Sequence, residues 1–165
     1  MNLLKLFRWI RFNLSYFGNP PWNTGIPAPE IIKFIEKNHP GIGLDLGCGT
    51  GTNIFSLGEA GWEVDGVEIV HLAVWKARQK INKLPNPGHI YRESVVNLGF
   101  LKKEYDLILD IGCFHSLFDP ERDLYREHLK RLLKNNGTFL MYSFLKRAGA
   151  QLGIDSAEIN EFRKI

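Results

Sequence analysis

Four of the nine residues 43–51, GLDLGCGTG, are glycine, and they lie between two different hydrophobic patterns. Residues 42–46 are a short apolar run, the mark of a buried strand. Residues 52–60 carry apolar side chains at helical spacing and stop at Gly61. A strand that turns into a helix through glycines makes a tight loop. Its bare backbone can approach a ligand closely, and the helix behind it offers free N–H groups. Asp45 stands at the end of the strand, just ahead of the loop. Glu68 closes the next apolar run, and an acid about 20 residues past such a loop is placed to accept hydrogen bonds from a ribose diol.

The rest of the chain repeats the same alternation. A helix over 30–38 precedes the loop, with Pro29 suited to its first position. Then come a strand at 63–68, a helix at 71–83, a short strand at 89–92, a strand at 106–111, a helix at 120–134, a strand at 138–142 and a helix at 156–163. Strand–helix alternation implies a parallel sheet with helices on both faces, and right-handed crossovers leave few topologies. The expectation is one Rossmann-like, doubly wound α/β domain over residues 1–165, with strand order 3-2-1-4-5 and a ligand crevice at the carboxyl ends of strands 1 and 4. The LKNNG stretch, residues 133–137, reads as a turn in which asparagine takes up a left-handed backbone. Strand 138–142, Thr-Phe-Leu-Met-Tyr, would be an uncharged edge, and the 145–153 segment is too irregular to cover it. Self-association through that edge, with weakened activity, is therefore expected.

Charge separates the amino terminus from the rest. Residues 1–18 hold Lys5, Arg8 and Arg11 and no acid, and the remainder carries 18 basic and 18 acidic residues. A neutral main domain argues against a nucleic-acid-binding face. Helical spacing over residues 3–17 puts Leu3, Leu6, Phe7, Ile10, Leu14 and Phe17 on one face and the three cations on another. Two readings stand: a helix packed on the domain or over its site, or a membrane-surface anchor or transit segment. Residues 19–29, NPPWNTGIPAP, form a proline- and glycine-rich entrance loop. Two separated cysteines, Cys48 and Cys113, form no disulfide framework or metal cluster, so no metal is expected and a reducing cytoplasm fits.

The loop spacing GxGxG, preceded by an acid, suits a phosphate-free cationic cofactor better than a dinucleotide pyrophosphate. S-adenosylmethionine, with its amino group and sulfonium, meets that requirement. The stretch GLDLGCGTGTNIFSLGEAGWEVDGVEIV resembles motif I and the following strand of class I S-adenosylmethionine-dependent methyltransferases. YDLILDIGCFHSL resembles motif IV of their small-molecule branch, the thiopurine, thiol and tellurite-resistance-type enzymes. PPWNTGIPAPEIIKFIE resembles the entrance loop of that branch. The three cover most of residues 19–118.

The resemblance implies roles by position. Asp45, Gly47, Cys48, Gly49 and Gly51 would line the methionine end of the cofactor. Glu68 would bind the ribose, with Ile69 against the adenine and Ser94 and Val95 at its edge. Asp110, Ile111 and Gly112 would lie under the methionine, and Trp22 and Thr24 would close over the cofactor. Glu93 beside Ser94 leaves both as candidates for the adenine amine. The fold of this branch continues past strand 5, so strands 6 and 7 would be missing here.

The activity implied is methyl transfer to a small-molecule nucleophile, a thiol or other soft atom. His115, which follows strand 4, is the candidate base, a packing histidine being its alternative. A weakly active cofactor-binding domain and a nicotinamide-dependent oxidoreductase are the competing functions. Cys48 and Cys113 read as small residues chosen for fit, or as a redox pair.

Overall fold

The computed structural model describes residues 3–147, 149, 150 and 152–165; the side chains of residues 4 and 5 lie outside the described set. Helix α1 (Leu3–Ser15) is followed by the entrance loop and α2 (Pro29–Lys37). The alternation then runs β1 (Ile42–Leu46), α3 (Thr52–Glu59), β2 (Glu63–Glu68), α4 (His71–Ile81), β3 (Ile90–Arg92), β4 (Tyr105–Ile111), α5 (Asp119–Leu132), β5 (Leu133–Tyr142) and α6 (Ser156–Phe162), with a 3-10 turn at Phe114–Ser116. The five strands form a parallel sheet in the order β3-β2-β1-β4-β5.

Alternation along the strands feeds two apolar layers. Val64, Leu107 and Leu109 meet Ile31 of α2, Ile54 and Leu57 of α3, and Val74 and Ala77 of α4 on one face. Leu44, Leu46, Val67 and Ile108 meet Tyr125, Leu129 and Leu132 of α5 on the other. Helices on both faces bury the sheet and leave its carboxyl edge open for chemistry.

One expectation is corrected. Strand β5 begins at Leu133, not at 138. Leu133 pairs with Tyr105 and Thr138 with Leu107, so residues 134–137 form an irregularity inside the strand. No asparagine turns left-handed there, since no described non-glycine residue has positive φ. Gly137 is needed for space instead: a Cβ would lie 3.0 Å from the Tyr105 carbonyl oxygen.

The face by which α1 packs is left open by its sequence. The helix packs on the domain with the face opposite to the apolar stripe. Tyr16 is buried and, with the part-buried Phe12, packs against Val70, Leu72 and Ala73, while Leu3, Phe7, Ile10, Leu14 and Phe17 are exposed. The physical reason is Arg8, whose guanidinium finds a two-pronged partner in Glu121 at 2.8 Å and a carbonyl in Ser116 at 2.8 Å. That bidentate pair, together with the packing of Phe12 and Tyr16, holds this face of α1 inward. Lys5, which the sequence puts on the basic face, has its side chain outside the described set, as do residues 148 and 151 of the 145–153 segment.

At the other end, β5 and β3 are the outer strands of the sheet. Ile159, Phe162 and Ile165 pack beside Phe139 and Met141 of β5, leaving a groove of about 390 Å³ that reaches Lys134 and Arg163.

Candidate cofactor and acceptor site

The glycine loop is pinned to its neighbour strand. The Gly47 and Cys48 amides donate to the Val67 carbonyl at 2.8 and 3.1 Å, and Gly51 N–H closes a tight turn onto Cys48 O at 2.9 Å. Gly47 and Gly49 have φ of 76° and 54°, and each is crowded: a Cβ on Gly47 would lie 2.7 Å from Cys113 Cβ, and one on Gly49 would lie 3.0 Å from Tyr16 Oη. Positive φ and close approach together exclude larger residues there.

Three buried carboxylates surround this loop. Glu68, at the end of β2, accepts Gly49 N–H at 3.0 Å and Val70 N–H at 2.8 Å. Asp110, near the end of β4, accepts Tyr125 O–H at 2.7 Å, Cys113 N–H at 2.8 Å and Phe114 N–H at 2.9 Å. Asp45, at the end of β1, is 1% exposed, and its Oδ2 is buried with no hydrogen-bond partner among the described residues. Burial, then the charges of Asp110 and Glu68, push its carboxyl up to about 8. Burial likewise pushes Asp110 up to about 6 against its hydrogen bonds, and raises Glu68. None of the three has an ion-pair partner among the described residues. Like charges held together without a cation are costly, and a cationic ligand relieves that cost.

Helix α1 and the entrance loop cover the site. Tyr16 stands over Gly49, and burial and the nearby Glu68 push its phenol well up, so it stays a neutral hydroxyl. Trp22 Nε1–H donates to Tyr16 Oη at 3.3 Å, and Trp22 packs edge-on to Phe12. Thr50 O–H donates to Asn23 Oδ1 at 2.6 Å, tying the entrance loop to the glycine loop. Thr24 is exposed and bonds within its own turn, to Ile26.

Of the residues that the resemblance sets against an adenine, Ile69 is exposed, Ser94 N–H donates to Glu93 Oε1 at 2.8 Å, and the Val95 side chain is part of the core beside Val67 and Leu98. Ile111 ends β4, and Gly112 follows it. Gly112 has φ 87°, and its amide donates to Tyr142 O at 2.9 Å.

His115 lies beyond them, half-buried, with its ring edge-to-face on Phe144 at 4.8 Å. Its Nδ1 is buried and without a partner among the described residues. Burial and the Arg122 charge push its pKa below the usual 6.5. Arg122 is itself 2% exposed: it donates to Leu117 O and Gly153 O, pairs with Glu158 at 2.6 Å, and so fastens the C-terminal segment to α5. Arg8 lies 4.9 Å over the Phe118 ring, between α1 and this side of the site. Burial pushes both free thiols, Cys48 and Cys113, well up, so they remain protonated, and each sulfur fills space beside a glycine, Gly66 and Gly47 respectively. That packing is what fit alone requires.

Sequence reasoning missed Tyr16, Asn23, Thr50 and the Arg8–Glu121 pair. The absence of any acid in residues 1–29 is the one signal that an acid elsewhere would have to balance this segment.

The methyltransferase domain family matches residues 44–139, more than half of the chain. A probable thiol methyltransferase 2 of Arabidopsis thaliana is 30% identical over 140 residues, covering 80% of this chain and 61% of that protein. The chain thus spans about three-fifths of that relative's length. A structure described as showing conversion of a disulfide bond into a thioacetal group during echinomycin biosynthesis superposes with a TM-score of 0.72 at 25% identity, covering 88% of this chain and 64% of that one. The N-methyltransferase NodS of Bradyrhizobium japonicum, in complex with S-adenosylhomocysteine, shares the fold at 14% identity with a TM-score of 0.72, covering 87% and 74%. Sheet order, glycine loop and family match agree, and this chain belongs to the methyltransferase domain family.

Proposed function

We propose that this chain binds S-adenosylmethionine at the glycine loop and transfers its methyl group to a small-molecule nucleophile, a thiol or another soft atom. The observation that carries the reading is Asp45: a buried carboxylate with an unpartnered oxygen, flanked by two more buried acids. An ammonium group satisfies that oxygen, and a sulfonium is welcome among the three charges. A pyrophosphate would bring two more negative charges against them, which disfavours a nicotinamide cofactor.

Each side chain has a role in this reading. Asp45 holds the amino group, with Gly47, Cys48, Gly49 and Gly51 giving the methionine end room. Glu68 accepts the ribose hydroxyls, keeping one lone pair on each oxygen for its present amide donors. Ile69, Ser94 and Val95 lie toward the adenine. Ile111 and Gly112 form the floor, and Asp110 holds that floor in shape through its bonds to Cys113, Phe114 and Tyr125. Tyr16 and Trp22, with Thr24 in the same loop, exclude water from above.

When bound, the cofactor supplies a methyl group on a positively charged sulfur, which an aligned nucleophile displaces as the sulfonium becomes a neutral thioether. Alignment at about 3–3.5 Å supplies most of the acceleration for such a step. His115, kept neutral by burial and by Arg122, can take the acceptor's proton on Nδ1. The aromatic rings of Phe118 and Phe144 suit a soft, weakly hydrated acceptor, and the thiol methyltransferase relative supports a thiol.

Calorimetric titration with S-adenosylhomocysteine and with NAD, followed by radiolabelled methyl transfer to a panel of small thiols, phenols and amines, tests the reading. The expected result is binding of S-adenosylhomocysteine alone and transfer to thiols first. Binding of NAD in its place removes the cofactor assignment, and transfer confined to amines removes the acceptor class.

A further inference from the structure

The outward face of α1 is apolar although nothing in the described chain lies over it. Leu3, Phe7, Ile10 and Leu14 recur at helical spacing and are 65, 61, 37 and 62% exposed, and Phe17, just past the helix, is 81% exposed. A surface helix ordinarily turns such a stripe inward. Here the inward face is taken by Arg8, Phe12 and Tyr16.

The charge around this helix is one-sided. Residues 1–29 hold three cations and no acid. Residues 69–92 hold five, Lys76, Arg78, Lys80, Lys83 and Arg92, and again no acid. The remaining residues carry 13 cations and 18 acids, so the two runs stand at +8 against −5 for everything else. The runs are neighbours in space: Phe12 and Tyr16 of α1 pack on Val70, Leu72 and Ala73 at the start of α4, and Lys80 of α4 and Lys83, just past it, border the entrance loop at Gly25 and Pro27. Trp75 of α4 is 54% exposed on the same run. The main domain is therefore not uniformly neutral, because its acids are concentrated away from α4.

We propose that α1, flanked by α4, is a docking surface for an anionic lipid bilayer. Exposed aliphatic and aromatic side chains enter the headgroup–acyl boundary, and Arg11 and the α4 lysines meet the lipid phosphates. At 13 residues α1 lies along the surface, and no described helix is long and apolar enough to cross a membrane. The aliphatic stripe decides between lipid and nucleic acid: phosphate-backbone binding uses the cations but gives Leu3, Ile10 and Leu14 nothing to bury against. The one-sided positive charge decides between lipid and a second copy, since pairing this face with itself opposes cation to cation.

The test is co-sedimentation of the full chain with vesicles of phosphatidylcholine alone and of phosphatidylcholine with about 30 mol % phosphatidylserine, at low and high salt. Two double variants accompany the wild type: Phe7→Glu with Leu14→Glu, which strikes exposed stripe residues, and Arg11→Glu with Lys83→Glu, which strikes the flanking charge. The expected result is binding to the anionic vesicles at least about tenfold stronger than to the neutral ones, weakened by salt and lost in both variants, with melting temperatures unchanged. Absence of vesicle binding overturns the proposal. Equal binding to neutral vesicles, or binding indifferent to either variant, also overturns it. So does a dimer in sedimentation velocity that Phe7→Glu with Leu14→Glu dissolves, which assigns the stripe to a second copy. Binding of a duplex oligonucleotide as tight as that of the vesicles, and insensitive to the stripe variant, overturns it in favour of nucleic acid.

Discussion

The carboxyl ends of β1 and β4 lie side by side, and each carries a buried aspartate, yet the two ends are built differently. At β4, Asp110 is surrounded by donors: a tyrosine hydroxyl and the amides of Cys113 and Phe114 all reach it. At β1, Asp45 leaves one oxygen without any partner among the described residues, and burial with its acidic neighbours pushes its carboxyl up to about 8, where burial pushes Asp110 up to about 6. The same residue type at equivalent strand ends is thus committed to the fold in one case and held open in the other. A buried acid that the chain satisfies is architecture; one that the chain refuses to satisfy is reserved for something that arrives from outside.

The largest effect should come from the satisfied member. Asp110→Ala leaves a buried phenol and two amides without an acceptor, at about 1–3 kcal/mol each for the groups water cannot reach. We expect a loss of about 4 kcal/mol in denaturant unfolding, enough to unfold much of a marginal domain. A loss under about 1 kcal/mol would erase the distinction between the two ends.

Asp45→Asn should do the reverse to the ligand-free protein. Its carboxyl has an ordinary value of 3.8 and a folded value of about 8. Between those limits the folded chain holds a proton that the unfolded chain has released, so ligand-free stability falls as pH rises from about 4 to 8. The variant should flatten that slope and gain about 1–3 kcal/mol near pH 8, while losing at least about tenfold in cofactor affinity. Urea titrations at pH 5 and pH 8 read the first effect; parallel slopes in variant and wild type would show that Asp45 is not the strained acid.

The glycine loop and its two strand-end acids were legible in the sequence because their chemistry is local: glycine spacing, an acid before the turn, an acid closing the next strand. The orientation of α1 was not. It depends on Glu121 in the first turn of α5, 113 positions from Arg8, and on Phe118 beneath the guanidinium. Periodicity reports which residues share a face but not which face has a partner. Strand β5 starts earlier than its apolar run because Leu133 pairs with Tyr105 across an irregularity that polar residues 134–137 conceal. Asp110 read as a ligand-side residue like Asp45; only the donors around it, drawn from a loop and from α5, separate the two.

Smaller effects sharpen the comparison. Glu68 sits between the two cases, with one amide donor on each oxygen and lone pairs to spare. Glu68→Ala should weaken S-adenosylhomocysteine binding by at least about tenfold with the fold retained, from the loss of charged hydrogen bonds worth about 1.5–3 kcal/mol each. An unchanged binding constant would remove the ribose role. For His115, held neutral by burial and by Arg122, kcat should stay level through pH 7 and decline only below the ordinary histidine value of 6.5. His115→Gln should remove that acid limb, and a variant that keeps the wild-type pH profile would return His115 to packing against Phe144.

Asp45 should be protonated in the ligand-free protein and should ionise when a cationic ligand arrives. Calorimetry of S-adenosylhomocysteine binding near pH 7, in two buffers of different ionisation enthalpy, measures the protons exchanged on binding. The wild-type protein should release about one proton and Asp45→Asn none. Equal proton exchange in the two proteins, or none in either, would contradict it.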